Sequence, residues 1–227
     1  MELFKPLSPV IPVFFLIALG FTFARWKKIS LASVTEIIVY LGTPSLVFTS
    51  LAGKPLYAGE LVILLSGMLL IYAGVGLLIW LYFLVFRFHS RGFALPALFM
   101  NGGNMGLPLA LFAFGQAGMQ RATLLFVICT FLQFSLGIFI LQGRGNWQEV
   151  FRLPLIYASI AGLGANLFQL SIPALLFQPL AMLGQAIIPL MLVSLGYRQD
   201  PELAASIVVL STFMSVVTIP IVFWLIM

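Results

Sequence analysis

Asn101, Gly102, Gly103, Asn104, Gly106 and Pro108 fall within eight consecutive positions and are the residues of this chain best suited to chemistry. The two asparagine side chains donate and accept hydrogen bonds without carrying charge. The three glycines free the backbone, and Pro108 withholds an amide and collides with the preceding turn, so regular helix fails here. Around them, the stretch from Pro96 to Gly115 is otherwise apolar and long enough to lie in a membrane. At that depth, unwound backbone survives only where protein or a water-filled cavity satisfies it. A helix interrupted at mid-membrane, with polar groups at the break, is the form a solute site takes in secondary transporters. The half-helix starting near Gly106, Leu107 and Pro108 is expected to aim free amides and its positive dipole end at an anion. Asn101 and Asn104 are expected to donate to that anion's carboxylate. The same residues also fit a kinked structural helix with a tight glycine contact. Three glycines, a proline and two asparagines so close together favour the site.

Other polar residues offer less. Glu36 is a possible proton-coupling carboxylate, or an interfacial acid paired with Lys27 or Lys28, since an acid near the boundary costs less than one at the centre. A metalloprotease needs several histidines, and this chain has only His89, between Arg87 and Arg91. Aspartyl chemistry needs paired carboxylates, and the single aspartate, Asp200, is accounted for by helix capping. Cys129, the only cysteine, sits inside an apolar run and reads as a small core residue. Asn166, Gln133 and Gln185 read as interhelical hydrogen bonders. Trp26, Trp80, Trp147 and Trp224 suit membrane-interface positions. No enzyme, no metal and no cofactor is expected.

Composition decides the class of the elements that hold these residues. Of 227 residues, 62% are hydrophobic and 7% charged, with a mean hydropathy of +1.16. A soluble domain carries about 25% charged residues, so this chain cannot clothe a globule in water. The apolar stretches are continuous and not alternating, which excludes a β-barrel. The expectation is an all-α polytopic membrane protein of about eight spans. The net charge of +5 comes from basic residues spread along short loops. That is what membrane orientation requires, and nucleic-acid binding is not expected.

The spans are expected over 9–24, 31–51, 60–86, the broken stretch 92–115, 122–141, 153–170, 173–197 and 201–227. The positive cluster Arg25, Lys27 and Lys28 follows the first span, unlike the layout of a cleaved signal peptide. The loops after spans one, three, five and seven hold Arg25, Lys27, Lys28, Arg87, Arg91, Arg144, Arg152 and Arg198. The other side holds Lys5, Lys54 and Arg121. The richer side should be cytoplasmic, with both termini on the other side of the cell membrane.

A weak repeat is visible. Pro12 and Gly20 match Pro154 and Gly162 at a separation of 142, and Pro44 to Gly53 echoes Pro189 to Gly196. An odd number of spans lies between the copies, so they would be inverted in the membrane, a transporter design.

Asn101-Gly-Gly-Asn104-Met-Gly106-Leu-Pro108-Leu, the stretch Ile188-Pro189 to Leu195-Gly196, and Asp200-Pro-Glu-Leu-Ala-Ala-Ser206 to Ser211-Thr212 resemble the auxin efflux carrier family of membrane transporters. The resemblance implies two inverted five-helix repeats. The first two helices of each make a scaffold, possible ground for a homodimer, and the rest a transport domain. Broken fourth and ninth helices would cross at the site of a small organic anion such as an auxin or dicarboxylate, carried by an elevator-like movement. One departure is large. With a repeat offset of 142 the partner of Arg121 would lie near 263, so about 60 residues are wanting, enough for two spans. The join falls at Tyr197–Arg198, where the family's eighth and ninth helices have no counterpart. The expected division is therefore a first repeat over 1–141 and an incomplete second repeat over 142–227. The competing reading is a non-transporting membrane protein that keeps the scaffold helices and acts by association.

Overall fold

The computed structural model describes residues 9–53, 56–86, 98, 101–133 and 151–197. Every described element is a helix. Helix α1 is Val10–Trp26 and ends where Lys27 turns extended. Helix α2, Leu31–Ala52, contains a π-helical turn at Ile37–Gly42. That turn closes two residues before Pro44, and its extra width accommodates a ring that would otherwise meet the Tyr40 carbonyl. Helix α3 is Ala58–Phe86. Helix α4, Gly102–Leu132, again opens on a π turn, Gly102–Gly106, just ahead of Pro108. Helix α5, Pro154–Leu167, begins with proline as its first helical residue, where a missing amide costs nothing. Helix α6 is Ala174–Tyr197. By length and apolarity, α2, α4, α6 and residues 62–85 of α3 can each cross a membrane; α1 and α5 are shorter apolar helices.

Helix α4 is not straight. Gly115 takes φ 63° and ψ −158°, a conformation essentially reserved for glycine. The helix doubles back there. A Cβ at Gly118 would meet the Ala110 carbonyl and Phe114, and one at Gly103 would meet the Phe126 ring. In a straight helix residues 103 and 126 would lie about 34 Å apart. The two arms, 102–114 and 116–132, are therefore antiparallel neighbours with their corner at Gly115. The second arm starts at Gln116, not at Ala122 as the charge of Arg121 suggests. Arg121 lies within it, donating to the Ala117 carbonyl and to Glu60 at the start of α3.

Four helices form a panel in the order α1, α6, α2, α5. The ends of α1 and α6 coincide: the Tyr197 hydroxyl donates to the Lys27 carbonyl at 2.8 Å and accepts from the Ile29 amide at 2.6 Å. The ends of α2 and α5 coincide likewise. Asn166 donates to the Leu51 carbonyl at 2.6 Å and accepts from the Leu56 amide at 3.0 Å. Each of these pairs is parallel. Between them α2 and α6 run antiparallel, with Gly42 against Ile187, Leu46 against Gly184 and Gly53 against Phe177.

The panel has an exchange relation. Gly20 of α1 lies on the Val193 carbonyl of α6, and Gly162 of α5 lies against Phe48 and Leu51 of α2. Gly162 is 142 positions after Gly20, and Leu51 is 142 before Val193. Gly42 and Gly184 differ by the same 142, and each is at an α2–α6 contact. At that offset Pro44 and Pro189 stand three residues out of step.

The core follows the same division. Val47, Leu51, Leu56, Leu124 and Leu155 are buried together, and Leu46, Leu107, Met119 and Ile188 form a second cluster. Cys129 is buried in the second arm of α4, as expected of a small core residue. The expected positions of His89, Asp200, residues 134–141 of the fifth span and the last span lie outside the described residues.

Candidate functional site

The break in the broken stretch is at Asn101, whose φ −75° and ψ 63° are not helical. Residues 102–106, expected to be unwound because of their glycines, instead coil as a wide π turn that runs on into the helix. Its geometry comes from one carbonyl: Asn101 accepts from Met105 at 3.3 Å and from Gly106 at 3.2 Å. The amides of Gly102, Gly103 and Asn104 precede the first hydrogen-bonded turn and have no acceptor within it. The half-helix thus begins at Gly102, four residues earlier than its proline suggests. Residues 92–97, 99 and 100 of the same stretch are outside the described residues.

The Asn101 side chain completes this end. Its Nδ2 is buried and has no hydrogen-bond partner among the described residues. A buried amide donor without an acceptor costs on the order of 1–3 kcal/mol, and the described residues leave this donor without one. Asn104 is half-buried in the π turn. Gly103 lets the turn approach Phe126, where any side chain would have to displace the ring. Pro108 is fully buried beside Leu107. The structure therefore brings Asn101, Gly102, Gly103, Asn104, Gly106 and Pro108 into one helix start, with donors grouped at its tip and the dipole adding positive character.

Among the described residues Glu36 makes no ion pair. It is exposed on α2 and meets neither Lys27 nor Lys28; the ion pair among the described residues is Arg121–Glu60. Asn166, expected as an interhelical hydrogen bonder, is one, tying α5 to the end of α2. Gln185 instead lines a cavity of about 170 Å³ with Thr49, Ser50, Gln116 and Gln120. Gln116 and Gln120 escaped the sequence reading, although their spacing of four, directly after a glycine, places both on one helix face.

Residues 6–150 match the membrane transport protein family, that of the auxin efflux carriers. An uncharacterized transporter of Methanocaldococcus jannaschii is 24% identical over 216 residues, covering 87% of this chain and 70% of the relative. No solved structure matches the chain.

Proposed function

The chain belongs to the membrane transport protein family of the auxin efflux carriers and is a multi-pass membrane transporter, and from this premise we propose that it carries small organic anions bound at the Asn101 break. The observation that carries the reading is the unpartnered Asn101 Nδ2 at the head of the half-helix. A carboxylate placed there accepts from Nδ2 and from the amides of Gly102 to Asn104 at the helix start, each a charge-assisted bond. The helix dipole favours the same sign. No lysine or arginine is needed, so binding is moderate and release is easy, as transport requires.

The arrangement of helices supports an inverted repeat and an elevator-type movement. Helices α1 and α5, mates at an offset of 142, run in opposite directions, and so do α2 and α6. The hairpin α4 leans on this panel through the apolar contacts of Leu107 and Met119 with Leu46 and Ile188, surfaces that can slide without breaking ion pairs. Glu36 stays a proposed coupling carboxylate through its exposed position on α2. The test is uptake of labelled dicarboxylates and aromatic acids into liposomes containing the purified protein. Uptake above protein-free liposomes, lost on Asn101→Ala or Asn104→Ala, supports the proposal; a chain that inserts, folds and carries none of them supports association instead.

A further inference from the structure

The 170 Å³ cavity opens where three elements end together. Gly53 is one residue past α2, Gln116 one past the Gly115 corner, and Phe177 lies in the first turn of α6. Its walls carry the Thr49 and Ser50 hydroxyls and the amides of Gln116, Gln120 and Gln185, with Phe177 as an apolar side. Among the described residues, no charged side chain lines it. Amides within membrane-spanning helices are costly, and convergence of three on one cavity marks a path for solute or water. Its floor is apolar: Leu46, Met119 and Ile188. Those three are buried with Leu107 in one cluster, and Leu107 directly follows the π turn of the break.

We propose that this cavity is a solute antechamber on the Gly115 side of the protein, separated from the Asn101 site by an apolar barrier of Leu46, Leu107, Met119 and Ile188. The proposal rests on the reading of the break as the solute site. The polar end of a small organic anion is held loosely in the antechamber by the glutamine amides and the Ser50 hydroxyl, partly hydrated, before it passes inward; the Thr49 hydroxyl already donates to the Ser45 carbonyl. Below it the four side chains are buried together in one apolar cluster; Leu107 is fully buried, and Met119 is 2% exposed. Half the barrier belongs to the panel, where the Leu46 backbone is held against Gly184 with no space for a Cβ. The other half, Leu107 and Met119, belongs to the two arms of the hairpin. Displacement of the hairpin along the panel parts the two halves and joins the antechamber to the break. Loop charge places this mouth on the non-cytoplasmic side.

The test uses thiol labelling in the full chain with Cys129→Ala as background. Ser50→Cys and Asn104→Cys are exposed to a membrane-impermeant anionic methanethiosulfonate in right-side-out and inside-out vesicles. Ser50→Cys is expected to react from one side only, and Asn104→Cys at least tenfold more slowly from that side. Adding Leu107→Ser with Met119→Ser raises the Asn104→Cys rate from that side at least tenfold and leaves the Ser50→Cys rate within twofold. Met119→Gln alone serves if the double variant fails to fold, as judged by the Ser50→Cys rate and gel filtration. Equal rates at Ser50→Cys and Asn104→Cys with the barrier intact, or an Asn104→Cys rate unmoved by the polar substitutions, overturn the proposal. Loss of uptake in Asn101→Ala with no change in labelling would remove the barrier alone; altered labelling with uptake indifferent to Asn101 would remove the reading of the break.

Discussion

The Arg121 guanidinium donates to the Glu60 carboxylate across 2.6 Å, tying the start of α3 to the second arm of the α4 hairpin. Both side chains are partly exposed, 42% and 33%, so water screens the pair. Glu60 also sits in the first turn of α3, where an acid meets the positive helix end favourably. Glu60→Gln and Arg121→Gln are each expected to cost about 1 kcal/mol or less. Thermal unfolding in detergent checks this. The double charge exchange should recover part of the loss, and high salt should shrink the difference.

The crossing of α1 and α6 predicts a sharper effect. A Cβ at Gly20 would fall on the Val193 carbonyl, and one at Gly196 on the Ile17 carbonyl. Backbone on both sides cannot move aside as a side chain can. Gly20→Ala and Gly196→Ala should each destabilise by about 1–3 kcal/mol or more, the ordinary range for overpacking. Gly74→Ala, with nothing near its Cβ, should leave the melting temperature unchanged.

Gly115 predicts a conformational cost without a packing cost. No atom stands within 4 Å of a Cβ there, yet φ is 63°. Gly115→Ala should destabilise by about 1–3 kcal/mol through backbone strain alone. Since the corner sets the arms face to face, the Gly103–Phe126 contact should loosen too. A disulfide between cysteines placed at 103 and 126 should form more slowly in Gly115→Ala than in the unsubstituted background.

Asn166 carries two hydrogen bonds into the end of α2. Asn166→Leu leaves the Leu51 carbonyl and Leu56 amide without partners and should cost about 1–3 kcal/mol. Tyr197→Phe, at the opposite end of the panel, removes the corresponding bonds to Lys27 and Ile29. Hydrogen exchange at residues 27–29 and 51–56 should rise separately in the two variants.

Much of this was legible because apolar run length, glycine and proline act locally. The distortion ahead of Pro108 follows from a missing amide and a ring within one turn, and the sequence places it, although the break itself lies at Asn101. What local reading cannot supply is the partner. Arg121 looks like a loop residue until Glu60, 61 positions away, is brought beside it. The fourth span is expected to end at Gly115, but not in so sharp a corner that the second arm resumes at Gln116. The three glycines of the break suggest loose backbone, but the Asn101 carbonyl, accepting from two amides, gathers them into a π turn. Gln116, Gln120 and Gln185 look like isolated polar residues until the hairpin and panel set them around one cavity.

The central claim is that Asn101 presents an amide donor to an anionic solute. The most direct test compares uptake of a labelled organic anion into liposomes by the unsubstituted protein, Asn101→Ala and Asn101→Asp, at matched insertion and melting temperature. With the donor gone, uptake should fall at least tenfold in Asn101→Ala, and further in Asn101→Asp, where a carboxylate repels the solute. Uptake equal to the unsubstituted protein in both variants would contradict the account.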